Sequence, residues 1–142
     1  DYLCDVQVLV SLISSDDQVM PDSLACLAAS AALAVSDIPI QEIISEVRIG
    51  RVDGKWIVNP TRDELVKSDL EFIIAATEKN IMMVEGEAKE CQEEDLIKAI
   101  EIAHDAIKIQ IKAQAELKDK TGTKSKRENI QNPTVTKSLK IK

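Results

Sequence analysis

The stretch SEVRIGRVDGKWIVNP, residues 45–60, constrains the fold of this chain more than any other. Val47 and Ile49 alternate with Glu46 and Arg48, and Trp56 and Val58 follow Lys55 beyond an Asp53-Gly54 pair. Asp-Gly is a strongly preferred dipeptide for a two-residue hairpin turn, because both central positions need positive φ. Two strands of period two must therefore lie antiparallel, and a sheet with one apolar face must find cover for it.

The rest of the chain supplies candidates for that cover. LEFIIAAT and IMMVEGEA, joined by Glu78-Lys79-Asn80, predict a second hairpin. SLACLAASAALAVS places Leu24, Leu27, Ala28, Ala31 and Val35 at helical spacing after Pro21 and Asp22, with six alanines between Asp22 and Ser36. A helix so rich in small apolar residues is expected to be central and buried. A long helix is expected from Glu90 to about Leu117, with a stripe of Leu96, Ile100, Ala103, Ile107 and Ile111 and a Glu94–Lys98 pair on its polar side. VQVLVSLIS, residues 6–14, has the continuous β-branched composition of a strand buried on both faces. The order is strand, helix, two hairpins, long helix, an α+β fold with a mostly antiparallel sheet packed against helices.

Composition narrows the function. Aromatic residues make up only 2% of the chain, which speaks against a base-stacking RNA platform. The net charge of −7 divides unevenly: residues 118–142 hold eight basic residues and two acids, a net of +6, and the first 117 hold −13. The body therefore lacks the positive field that phosphates attract, although the basic tail offers one. Cys4, Cys26 and Cys91 follow no metal-ligand spacing and read as reduced thiols. The longest apolar stretch, Leu24–Val35, is too short to span a bilayer, and no membrane association is expected. The chain begins Asp-Tyr rather than Met, which suggests a piece of something longer.

Among candidate sites, Asp63, Glu64, Asp69 and Glu71 would suit magnesium, which takes one or two carboxylates plus phosphate oxygens. Only Arg62 and Lys67 stand nearby to hold a phosphate. Asp16 and Asp17 read as turn formers beside a helix start. His104, with no second histidine and no recognisable nucleophile, reads as structural.

Several segments occur in a familiar order: A-S-A-A-L (Ala29–Leu33), D-I-P (Asp37–Pro39), V-R-I-G (Val47–Gly50), N-P-T (Asn59–Thr61) followed by D-E-L, A-A-T (Ala75–Thr77) and M-M-V-E-G-E-A (Met82–Ala88). Together they resemble polynucleotide phosphorylase, the polyribonucleotide nucleotidyltransferases, over about 70% of the chain from Val6 to His104. More narrowly the match is to the later half of the family's first RNase PH-like core. The resemblance implies a parent enzyme that degrades RNA from its 3′ end. Inorganic phosphate attacks the terminal linkage and releases a nucleoside diphosphate, and the reverse polymerisation needs magnesium. It further implies a cytoplasmic, ring-shaped trimer with RNA as partner. Residues 1–120 would be a partial core lacking its first strands, and 121–142 the start of the basic, helical linker.

The resemblance also implies which of the two cores this is. The active copy has a Ser-rich phosphate cradle before the Ala-rich helix and a D-x-D-x-K arrangement entering the next strand. Here the cradle reads Gln18-Val19-Met20-Pro21-Asp22-Ser23, leaving only Ser23, and Asp22 repels phosphate. The second motif reads Asp69-Leu70-Glu71-Phe72-Ile73, with Leu65 where an upstream acid is expected. Ile73 replaces the lysine that would support charge on phosphate, so no catalytic, cofactor or metal residue is carried over. Ser23, Asp69, Glu71 and Ile73 are degenerate positions. Two other readings are a double-stranded-RNA-binding module and a self-associating scaffold with no enzymatic ancestry. The first conflicts with the strongly acidic segment Glu87–Asp95 at the start of the last helix, where basic residues would grip phosphate.

Overall fold

A computed structural model describes residues 4–122 and 124–127. Both expected hairpins form. Strand β1 (Ser45–Val52) turns through Asp53 and Gly54, with φ of 50° and 74°, into β2 (Lys55–Val58). Strand β3 (Leu70–Ala76) returns as β4 (Ile81–Ala88). Antiparallel pairing of β1 with β3 joins the hairpins into one sheet of order β2-β1-β3-β4, with Ile49 opposite Phe72 and Arg48 opposite Ile73.

Three helices accompany the sheet: α1 (Asp22–Val35), α2 (Arg62–Lys67) and α3 (Glu93–Thr121). The short α2 lies in the connection between the two hairpins. Thr61 and Glu64 make a reciprocal capping box there, satisfying two otherwise orphaned backbone donors. Gly122, at φ 67°, ends α3 in the left-handed conformation that glycine adopts without a Cβ penalty.

The core lies between one sheet face and α3. Val47, Ile49, Leu70, Phe72, Ile74 and Ala76 meet Ala99, Ala103, Ile107 and Ile111, while Leu96 and Ile100 pack at its margin. The stripe expected on α3 is thus the buried one, extended by Ala99. Gln114, also buried, donates through Nε2 to the Ile44 carbonyl at 3.0 Å, and Gln110 accepts from the Ser45 hydroxyl. His104 has the structural place expected of it, its Nε2 lying 3.0 Å from the Thr77 carbonyl at the end of β3. On the polar side Lys98 pairs with Glu101 at 3.1 Å rather than with Glu94.

Two expectations fail. Residues 6–14 form no strand: they pair with none of the described strands, and Leu9 and Ile13 are 82% and 97% exposed. β-Branched composition favours an extended backbone, but a strand exists only where a neighbour completes its ladder. Helix α1 is not central either. It rests on β1 and α3 through Ser23, Ser30 and Ala34 and leaves Leu24 half exposed, because its small side chains let one face approach closely without requiring cover on the others. Most of the basic tail, 128–142, lies outside the described residues, as do 1–3 and 123. Among the described residues no helix is long and apolar enough to cross a membrane.

Gly86 explains one feature of the M-M-V-E-G-E-A segment. A Cβ there would run into the Glu71 carbonyl and come within 2.6 Å of Phe72 Cδ1, since the Phe72 ring rests on bare backbone. Gly86→Ala should therefore destabilise the fold by about 1–3 kcal/mol, the usual cost of overpacking. Chemical denaturation measures this, and an unchanged midpoint would contradict it.

Candidate functional site

Strand β1 lies second in the sheet, with a neighbour on each side, and side chains alternate between the faces of a strand. Val47, Ile49 and Arg51 consequently point toward α3, and Arg48 points to the other face. Each arginine collects two carboxylates, one of them from the candidate acidic group. Arg48, with its side chain 9% exposed, forms ion pairs with Asp22 at the start of α1 and with Glu71 on β3. Arg51 bonds Asp69 through Nε and Nη2, at 3.0 and 2.9 Å, and Asp95 in the first turn of α3 through Nη1 at 2.8 Å. Its guanidinium also lies 5.2 Å from the centroid of the Trp56 ring, directly across the hairpin, in a cation–π arrangement.

The four acids proposed for magnesium therefore do not converge. Glu64 accepts from the Thr61 amide and hydroxyl at 2.7 and 2.9 Å, which holds its carboxyl below the usual range. Asp63 is exposed and its amide donates to Gln18 Oε1. Asp69 and Glu71 line one groove of about 340 Å³ with Leu65, yet each is already bonded to a different arginine. Among the described residues no three His, Cys, Asp or Glu side chains are grouped to hold a metal ion. Magnesium does not fit these residues, since Asp69 and Glu71 are each paired with a different arginine and Glu64 is taken up by the Thr61 cap.

Three of the four positions that the resemblance marks as degenerate, Ser23, Glu71 and Ile73, are neighbours. Ser23 is buried and shares a recess of about 80 Å³ with Arg48, Asn59 and Pro60. Ile73 lines a second recess, of about 300 Å³, with Arg48, Glu71, Glu85 and Glu87. Arg48 borders both, so it is the residue that joins Ser23 to Glu71 and Ile73. Asp69 belongs elsewhere, with Arg51. Asp16 forms the expected turn, accepting from the Gln18 amide at 2.7 Å. The three cysteines are free.

Sequence reasoning missed Arg48 and Arg51. Arg48 follows the polar alternation of β1, which points to solvent rather than to burial. For Arg51 the available signal was its i, i+3 relation to Arg48, which sends the two to opposite faces, and its place opposite Trp56 across the turn.

The charges set a dependence on pH. Hydrogen bonds from Arg51 hold the Asp69 and Asp95 carboxyls below their ordinary range. A lowered folded-state pKa gives stabilisation that is present above the unfolded value and lost as pH falls through the folded one. The melting temperature should thus begin to drop below about pH 4, and Arg51→Met should flatten that decline. Glu46 behaves oppositely: burial raises its pKa, with Asp22 and Glu85 adding to the rise against Arg48. Its charge costs stability above the raised value and costs nothing below the unfolded one. Glu46→Gln should raise the melting temperature at pH 7, with the difference shrinking toward about pH 4. Equal melting curves at pH 7 would contradict this.

Comparison with known proteins bears on these residues. Residues 42–106 match the 3′ exoribonuclease family, domain 2. Over 128 residues, 90% of this chain, the sequence is 52% identical to a polyribonucleotide nucleotidyltransferase of Christiangramia forsetii and 56% identical to one of Parabacteroides distasonis. A third, from Bacteroides fragilis, is 53% identical over the same length. The chain spans 17–18% of the length of these relatives. The family resemblance read from the sequence is therefore the one that the comparisons return: residues 42–106 are similar to the 3′ exoribonuclease family, domain 2, and each of these relatives is a polyribonucleotide nucleotidyltransferase.

Proposed function

We propose that this chain serves as a structural, non-catalytic part of a phosphorolytic 3′-to-5′ exoribonuclease that acts in RNA degradation. The observation that carries this reading is the Asp22–Arg48–Glu71 cluster. A site for phosphoryl transfer needs carboxylates open to a metal and a cation aimed at phosphate. Here the nearest arginine is bound to the protein's own acids, and Ile73 offers no charge. Residues 1–120 are the partial core in this reading, and 121–142 begin the linker. Catalysis, with magnesium and phosphate, belongs to the parent enzyme, a cytoplasmic trimer that holds RNA elsewhere. The exposed apolar segments, with Ile13 at 97% and Met82 at 63%, support a role inside a larger protein. The acidic first turn of α3, Glu93-Glu94-Asp95, argues against a duplex-RNA grip there.

The 142-residue chain, incubated with poly(A), inorganic phosphate and magnesium, should release no nucleoside diphosphate above background. Ile73→Lys alone should stay equally inactive, because Glu71 remains bonded to Arg48. Nucleoside diphosphate released by either protein, detected chromatographically, would sink the proposal.

A further inference from the structure

Helix α1 ends without a basic residue in its last turn, although its C-terminal carbonyls carry partial negative charge. The missing cation arrives from a segment some 90 residues later in sequence. Lys126 Nζ donates to the carbonyls of Ser36, Ala34 and Leu33 at 2.7, 3.1 and 3.5 Å. An ammonium group has three donors, and all three find an acceptor at one helix end. The next residue adds a second, separate attachment. The Arg127 amide donates to the Asp37 carbonyl at 2.8 Å, and Arg127 Nε donates to Asp37 Oδ2 at 2.7 Å. Gly122, left-handed, ends α3 just before this segment.

We propose that residues 124–127 form a strap that latches the beginning of the basic segment onto the C-terminal end of α1. The strap is a conformational device. It fixes the direction in which the chain leaves α3, and it commits Lys126 and Arg127 to the protein itself rather than to an external anion. Its bonds are charge-assisted and partly exposed, so added salt weakens it. The latch stands on Lys126, Arg127 and Asp37 alone and does not depend on the functional reading above.

Hydrogen exchange on the whole 142-residue chain tests it, reading the Arg127 amide against β3. At low salt Asp37→Lys and Lys126→Met should each speed exchange of the Arg127 amide, which donates to the Asp37 carbonyl, by about threefold or more, the scale of an exposed charge-assisted pair. Exchange in β3 should not change. Asp37→Lys combined with Arg127→Glu, which swaps the charges, should restore slow exchange. Unchanged exchange of the Arg127 amide in both single variants would overturn the strap. So would failure of the swapped pair to restore protection, or acceleration that spreads into β3 and makes these residues part of global stability.

Discussion

Arg48 and Arg51 stand three positions apart on a strand paired on both sides, so one guanidinium lies on each face of the sheet. Through them β1 holds every layer of the structure. Arg48 fastens the start of α1 and the beginning of β3, and Arg51 fastens the residue preceding β3, the first turn of α3 and the indole of β2. The Arg48 side chain is the more buried of the two, and its charge is balanced by acids on two different elements. The energy of these pairs is modest. Their effect is geometric, because each guanidinium has a fixed fork that donates to carboxylates in only a few directions.

The same two side chains decide what the acidic positions can do. Asp69 and Glu71 sit at the entrance to β3, side by side in sequence spacing, and share a groove. What separates them chemically is the arginine that each meets, since Arg48 and Arg51 lie three positions apart on β1 and so on opposite faces of the sheet. One carboxylate answers to Arg51 and the other to Arg48. A ligand that wanted both would have to compete with two internal cations of fixed position, so placing a lysine at Ile73 leaves the obstacle in place.

Much of this was legible in the sequence, for local reasons. The hairpins were readable because turn chemistry and period-two alternation both act over a few residues, as at Asp53-Gly54 and at Thr77-Glu78-Lys79-Asn80. The stripe of α3 was readable because Ala103, Ile107 and Ile111 repeat with the helix. What escaped depends on partners far along the chain. Residues 6–14 have strand composition but no described ladder. Gln114 reaches a carbonyl 70 residues away, and nothing near it in sequence announces that. At the candidate site the identity of the acids could be read directly, but their pairing could not, since only the folded register brings Asp22 and Glu71 to one guanidinium.

The contact between Phe72 and Gly86 has a consequence for how such a chain can change over time. The ring occupies the volume that a side chain at 86 would need, across two strands that are directly paired. The two positions therefore behave as one steric unit. A larger residue at 86 is accessible only after the aromatic ring at 72 has shrunk, and that loss opens a void beside Ile49 until the second change fills it. Divergence across this part of the sheet must pass through a destabilised intermediate, which holds the pair together even where no ligand or reaction depends on it.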